Sequence, residues 1–353
     1  MRRLPIYFLL DVSESMVGEN LYRLEEGLSR VISELRTDPH ALETAWMSVI
    51  AFAGKVRKLM PLTELTSVTA PSLPVGGGTS LGGALNFLMD AIDASVRKNT
   101  AEAKGDWKPI VFLITDGKPT DDVNAAVERW RTKYANNVTM VAISIGRSAD
   151  LTVLNRLTEA DKVLTLDDES EAGFTRFINW VTQSVLARSR SVGDPAKEEQ
   201  LAMLEDNSIL KKLNLDKPIE MVDESNAYFV SKCQKTKLPY VSRYEPTRNE
   251  VQAAGIPIGT VVYRLVGSYP VKNSYFEMSS DQPNVATVDS SQLYGSPMCP
   301  HCGNRIGFAM CSCGNTFCME GEGEQTCPWC EQTATFGRMT DDSESVDLTR
   351  ARG

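Results

Sequence analysis

Two short apolar runs, Ile6-Tyr7-Phe8-Leu9-Leu10 and Ile110-Val111-Phe112-Leu113-Ile114, each lead straight into a carboxylate at their C-terminal end. Asp11 follows the first, and Thr115-Asp116-Gly117 follows the second. Runs of this length bounded by polar residues read as strands buried on both faces, which are the interior strands of parallel sheets. Their polar ends then gather at the carboxyl edge of the sheet, where open α/β sheets hold ligands.

The segments between and after these runs fit that frame. Leu21, Leu24, Leu28, Val31, Ile32 and Leu35 lie on one face of a helix that stops near Asp38-Pro39. Residues 46–52 read as a strand, and Ala53-Gly54-Lys55 turns the chain into an antiparallel edge strand over 56–62. A glycine-rich loop, Gly76-Gly77-Gly78-Thr79-Ser80-Leu81-Gly82-Gly83, opens a helix with apolar residues at Leu81, Leu85, Leu88 and Ile92. Asp121-Asp122 begins another helix, with Val123, Ala126, Val127, Trp130 and Tyr134 facing inward. Strands over 138–145 and 163–166, then an amphipathic helix with Phe174, Phe177, Ile178, Val181 and Val185, complete the first domain. The expected fold is α/β, a doubly wound and mostly parallel sheet covered on both faces.

Asp11, Ser13, Ser15, Thr79 and Asp116 supply two carboxylates and three hydroxyls, with no Cys or His among them. Hard oxygen donors select Mg²⁺, Mn²⁺ or Ca²⁺ over zinc. The pattern D-x-S-x-S, a Thr in a following glycine-rich loop, and an Asp in T-D-G resembles the metal-ion-dependent adhesion site of the von Willebrand factor type A fold, over residues 1–188. The resemblance implies that the hydroxyls of Ser13, Ser15 and Thr79 touch the ion directly, while Asp11 and Asp116 hold it partly through water. It also implies that the Asp11 and Asp116 strands are neighbours where the strand order reverses. An Asp or Glu of a protein partner would complete the coordination.

Seven of the eight cysteines fall between Cys299 and Cys330, and clustering of this kind in a cytosolic protein argues for metal rather than disulfides. Cys299-Pro-His-Cys302 and Cys327-Pro-Trp-Cys330 are paired C-P-x-C turns able to aim four thiolates at one tetrahedral zinc. Cys311, Cys313 and Cys318 with His301 could supply a second zinc set, and other divisions of the seven thiolates stay open. Cys233, alone in its region, reads as an inert buried thiol. Before the cysteines, short aromatic and β-branched runs at 228–230, 239–242, 261–265 and 275–278 suggest a small β-rich module.

At 353 residues the chain exceeds one ordinary core. The expected division is a type A domain over 1–188, a linker over 189–216, the β-rich module over 217–295, a zinc-binding module over 296–338 and a disordered tail over 339–353. Within the linker, Leu201, Leu204, Ile209, Leu210 and Leu213 suggest a short helix. Zinc would stabilise a module too small to fold on burial alone.

The formal net charge of −9 disfavours nucleic-acid and acidic-membrane surfaces as partners, although it leaves room for a local basic patch. Over 296–338, Arg305 and Arg338 face Glu320, Glu322, Glu324 and Glu331, again unlike a nucleic-acid ribbon. No segment approaches the ~18 apolar residues of a membrane helix. The start Met1-Arg2-Arg3 is followed by an apolar run that breaks at Asp11, too soon for a signal peptide. A cytoplasmic location is expected. No enzyme is expected either: Gly78 and Gly83 have phosphate-loop spacing but Ala84 stands where Lys is required, and Leu81 breaks the dinucleotide pattern.

The order type A domain, β-rich segment, cysteine ribbon resembles the TerY proteins of bacterial tellurite-resistance and stress-response systems. That resemblance implies a non-enzymatic interaction scaffold acting with a protein kinase and a metal-dependent protein phosphatase. The alternatives are a phosphorylation-regulated substrate or adaptor, with Ser189 and Ser191 as acceptors near Arg188 and Arg190 and Ser343 and Ser345 as acceptors in the acidic tail, or a zinc-ribbon nucleic-acid binder.

Overall fold

The computed structural model describes residues 2–146, 149–159, 162–166, 170–191, 201–202, 210–212, 226–253, 256–282, 286–337 and 345–351. The chain divides into two compact units, residues 1–74 with 79–221, and residues 75–78 with 222–353.

In the first unit the elements run β1 (Leu4–Asp11), α1 (Glu19–Leu35), α2 (Pro39–Thr44), β2 (Ala45–Phe52), β3 (Val56–Glu64), α3 (Leu81–Ser95), β4 (Ile110–Thr115), α4 (Asn124–Lys133), β5 (Thr139–Ile145), α5 (Leu151–Leu157), β6 (Val163–Leu166), α6 (Glu171–Arg190) and β7 (Leu210–Lys212). The sheet order is β3-β2-β1-β4-β5-β6-β7. β3 and β7 are antiparallel to their neighbours, and the five strands between them are parallel. This is the expected doubly wound sheet with an antiparallel edge. The chain leaves β1 toward β2 on one side and later returns to β4 on the other, so the strand order reverses between β1 and β4. Their register pairs Leu10 with Ile114, and the rings of Phe8 and Phe112 stack at 5.4 Å. The carboxylate-bearing ends of the two strands are therefore adjacent.

Burial explains why these sequences form these elements. Every residue of β1, β4 and β5 is buried, because helices cover both faces of the sheet. α1 turns Leu21, Leu24, Leu28, Val31, Ile32 and Leu35 inward as its periodicity requires. On the other face α3, α4 and α5 pack on Tyr7, Leu9, Val111 and Leu113, with Trp130 fully buried and its indole N–H donating to the Leu157 carbonyl at 2.8 Å. Asp38 caps α2 by accepting from the Ala41 N–H and is also bonded by the Arg190 guanidinium at 2.6 Å. The first fold is thus tied at its start and end.

The second unit contains β8 (Ala227–Lys232), β9 (Pro239–Ala253), β10 (Ile256–Pro270), α7 (Ser274–Met278), β11 (Thr287–Asp289), β12 (Leu293–Tyr294), β13 (Ile306–Met310), β14 (Thr316–Met319), β15 (Gly323–Thr326), β16 (Thr333–Phe336) and β17 (Asp347–Thr349). Six strands form one sheet in the order β12-β10-β9-β8-β14-β13, with β11-β17 and β15-β16 as separate pairs.

Several expectations need correction here. The boundary drawn at 295/296 does not divide the fold, since β13 and β14 belong to the same sheet as β8, β9 and β10. Residues 275–278 form a helix rather than a strand: Tyr275 and Met278, three apart, are buried while Phe276 is exposed, which is a helical rather than an alternating pattern. Part of the expected linker is structured, because α6 runs to Arg190 and β7 adds an edge strand; Leu210 is extended there, whereas Leu204, Ile209 and Leu213 lie outside the described residues. The tail is not wholly disordered either, as β17 pairs with β11 and buries Leu348. Among the phosphate-acceptor candidates, Ser189 is buried with its hydroxyl bonded to Thr44 Oγ1 at 2.8 Å, which removes it as an accessible site. Ser191 bonds the Ala187 carbonyl, Ser345 donates to Asp289 at 2.8 Å, and Ser343 lies outside the described residues.

Candidate metal centres

The five oxygen-bearing residues predicted from sequence converge at the carboxyl edge of the first sheet. Asp11 Oδ1 accepts from the Ser13 N–H at 2.9 Å and the Ser13 hydroxyl at 2.6 Å. Ser13 and Ser15 hydroxyls lie 2.9 Å apart, and Ser15 donates to Asp116 Oδ1 at 2.6 Å. Asp11 and Ser13 are fully buried, and Thr79 and Asp116 nearly so. Burial pushes the Asp11 carboxyl above its ordinary range, and hydrogen bonds from Ser13 and Thr115 pull it only partly back. Two buried carboxylates, linked through the Ser13 and Ser15 hydroxyls and met by neutral donors, make a cluster whose charge a cation would offset.

Gly117 tests whether the cluster has room for an ion. A Cβ placed on this residue would lie 3.3 Å from Thr79 Oγ1, 3.6 Å from Ser15 Oγ and 3.9 Å from Asp11 Oδ2. Oxygens from the loop after β1 and from the glycine-rich loop therefore converge on one point beside the third loop, which the missing side chain of Gly117 leaves open. The donor set is hard and oxygen-only, so the residues present fit a divalent cation of the Mg²⁺ type.

Three contributors were missed in the sequence. Thr115 donates to Asp11 Oδ2 at 2.6 Å and so fixes the carboxylate's second oxygen. Thr120 holds the Thr79 backbone from both sides, accepting from its N–H through the hydroxyl at 2.9 Å and donating its own N–H to the Thr79 carbonyl at 2.9 Å. Asp121 does not begin α4. It accepts from Ser80 Oγ at 2.7 Å and from the Gly82 and Gly83 N–H groups, capping α3 from across the site. The crowding of Thr and Asp in Thr115-Asp116-Gly117-Lys118-Pro119-Thr120-Asp121 was the available signal.

In the second unit the cysteines separate into two quartets, Cys233, Cys299, Cys302 and Cys318, and Cys311, Cys313, Cys327 and Cys330, each with its sulfurs within 4.8 Å of one another. The expected set Cys299, Cys302, Cys327 and Cys330 is not brought together. Nor does the expected second set form: Cys318 belongs with Cys299 and Cys302, and His301 is in neither quartet, its Nε2 lying 2.8 Å from the Pro239 carbonyl. Cys233, read from sequence as inert, is the fourth member of the first quartet. The reason is strand pairing across 85 residues of chain. β14 runs parallel to β8 with Phe317 opposite Lys232, which places Cys318 beside Cys233.

Four turns of one design present the sulfurs. In each, the leading cysteine's carbonyl accepts from a residue in the left-handed region and its N–H donates to the next carbonyl along: Cys233 with Lys237 and Leu238, Cys299 with Gly303 and Asn304, Cys311 with Gly314 and Asn315, Cys327 with Glu331 and Gln332. Gly303 and Gly314 adopt that conformation without strain, at φ of 76° and 83°. In the first turn Thr236 stands where a second cysteine stands in Cys299-x-x-Cys302, which is why the motif is hidden.

The sulfur spacing fits a shared ion. Four sulfurs about 2.3 Å from a tetrahedral centre lie about 3.8 Å from each other. Cys302 and Cys318 are 3.6 Å apart, Cys311 and Cys330 3.7 Å, and Cys313 and Cys327 3.9 Å. Disulfide sulfurs would be near ~2.05 Å. Backbone N–H groups of Gln234 and Trp329 point at Cys318 and Cys327 at 3.3 and 3.4 Å, as suits thiolates held by a metal. Burial raises the thiols of Cys299, Cys318 and Cys327, while at Cys233 and Cys313 hydrogen bonds outweigh burial and lower them. A divalent cation is what allows all four to ionise together.

Comparison with known proteins agrees with this division. Residues 6–177 match the von Willebrand factor type A domain family and residues 223–353 match the TerY-C metal binding domain family. The chain is 27% identical over 152 residues to Matrilin-1 of Mus musculus, covering 41% of this chain and 29% of that protein. It is 22% identical over 196 residues to Inter-alpha-trypsin inhibitor heavy chain H2 of Mus musculus, covering 51% and 20%. It thus spans less than a third of the length of these curated relatives. Similar solved structures include proximal thread matrix protein 1 from the mussel byssus with a zinc-occupied MIDAS motif, at 20% identity and a TM-score of 0.37 over 53% of this chain and 46% of that one. Another is von Willebrand factor type A from Catenulispora acidiphila, at 14% identity and a TM-score of 0.41 over 80% and 69%.

Proposed function

Because the chain belongs to the TerY type, a von Willebrand factor type A domain followed by a TerY-C metal binding domain, we propose that it is a non-enzymatic, cytoplasmic scaffold that binds a protein partner through the oxygen site. The observation that carries this reading is the convergence of Thr79, Ser15 and Asp11 oxygens around the space beside Gly117. A Mg²⁺ bound there supplies positive charge and an exchangeable coordination position suited to an Asp or Glu side chain of the partner. Ser13, Ser15 and Thr79 are neutral ligands, so they leave much of that charge for the incoming carboxylate. Thr115 and Thr120 keep Asp11 and Thr79 in place, so little reorganisation accompanies binding.

The two cysteine quartets are proposed as structural zinc sites, since four-sulfur tetrahedral sets favour zinc among freely available divalent ions. Among the described residues no helix is long and apolar enough to cross a membrane. The expected kinase and phosphatase partners come from the resemblance of the sequence to the tellurite-resistance proteins, and they supply the candidates for the first experiment.

That experiment is capture of the kinase and phosphatase on the immobilised full chain, with Mg²⁺ present or removed by dialysis so that the sulfur-bound ions stay in place. Capture that requires Mg²⁺ and is lost in Asp11→Ala and Thr79→Ala supports the reading. Capture that survives both substitutions and Mg²⁺ removal rejects it.

A further inference from the structure

The first unit has a cavity of about 550 Å³ at the end of the sheet opposite the oxygen site, between the start of β4 and β5 and the loops around α4 and α5. Lys108, Arg131, Arg156 and Lys162 line it, with Glu159 as the acidic residue among its described lining. Four cations against one carboxylate is unusual on a chain whose net charge is −9. Lys162 pairs with Glu159 at 2.8 Å, while Arg156 donates to the neutral side-chain amide oxygen of Asn124 at 3.0 Å, a contact that leaves its charge uncompensated.

We infer that this cavity binds a small phosphate-bearing anion. The volume falls within the range of ordinary small-molecule sites. Its lining, however, is cationic and amide-rich, with Asn136 and Asn155 beside the basic groups, rather than mainly apolar. Guanidinium groups match phosphate oxygens in geometry as well as charge, and charge-assisted hydrogen bonds are the strong ones. The site shares no residue with the oxygen cluster, so a ligand here and a partner there are separate events.

Calorimetric titration of the full chain with pyrophosphate, ATP and a single-stranded RNA oligonucleotide, all in Mg²⁺-free buffer, tests this. Micromolar to sub-millimolar binding of pyrophosphate or ATP is expected. The double variant Arg131→Gln, Lys162→Gln should weaken it at least tenfold. Equal affinity for pyrophosphate and ATP assigns recognition to the phosphates, and tighter ATP binding extends the site beyond them. Thr79→Ala must leave the binding unchanged. The proposal is overturned if neither anion binds at millimolar concentration, if the double variant binds normally, if Thr79→Ala abolishes binding, or if only the RNA binds.

Discussion

Thr120 grips the backbone of Thr79 from both sides, its hydroxyl accepting the Thr79 N–H and its own N–H donating to the Thr79 carbonyl, each at 2.9 Å. The two residues come from different loops, so the position of one predicted ligand depends on the loop that carries Asp116. Thr120→Ala removes the hydroxyl's half of this grip without touching a ligand. Mg²⁺ or Mn²⁺ affinity is expected to fall about 10–100-fold with the fold intact, as for other residues that orient ligands. Metal titration alongside circular dichroism checks it, and an unchanged affinity means Thr79 is positioned by other contacts.

Gly117→Ala places a methyl group 3.3 Å from Thr79 Oγ1 and within 3.9 Å of Asp11 Oδ2. The added carbon takes the space around which the oxygens converge. Metal affinity should drop at least tenfold, while thermal stability changes by no more than about 1 kcal/mol, because the residue is in a loop rather than the core. A variant that binds metal normally would place the ion elsewhere.

Cys233 and His301 offer opposite tests of the quartets. Cys233→Ser should lower the sulfur-bound metal from two ions per chain to one, because its three remaining partners lose a ligand while Cys311, Cys313, Cys327 and Cys330 keep theirs. His301→Ala should leave two. Elemental analysis of the purified variants distinguishes this arrangement from the one read off the sequence, which predicts the reverse.

The Arg190 hydrogen bond to Asp38, with the Ala41 N–H adding to it, holds the Asp38 carboxyl below its ordinary value. A carboxyl depressed in the folded state contributes stability above its unfolded pKa of about 3.9 and loses that contribution as pH falls through the lower folded value. Asp38→Asn keeps an acceptor for the α2 cap and removes the charge. Since Arg190 is largely exposed, the loss at pH 7 should be about 0.5–1 kcal/mol. Denaturant unfolding of the first unit from pH 7 down to pH 2 should show the difference shrinking at the acid end. A difference that grows as pH falls contradicts the assignment.

The first unit was legible because its signals are local. Ile6 to Leu10 and Ile110 to Ile114 can satisfy their burial only inside a parallel sheet, and a strand that is buried on both faces delivers the next residues of the chain to the sheet edge. Asp11, Ser13, Ser15, Thr79 and Asp116 therefore announced the oxygen site from residue type and order. Thr120 and Asp121 did not, because a hydroxyl that orients a neighbouring loop looks in sequence like the start of the next helix. In the second unit the cysteine count and the C-x-x-C turns pointed to metal, since clustered thiols at turn spacing have little else to do. Which thiols share an ion was decided by tertiary structure alone. β14 pairs with β8 across 85 residues and brings Cys318 to Cys233, while the turns at Cys311 and Cys327 meet each other instead. Local spacing sets the shape of each cysteine turn, but strand register decides which turns face one another.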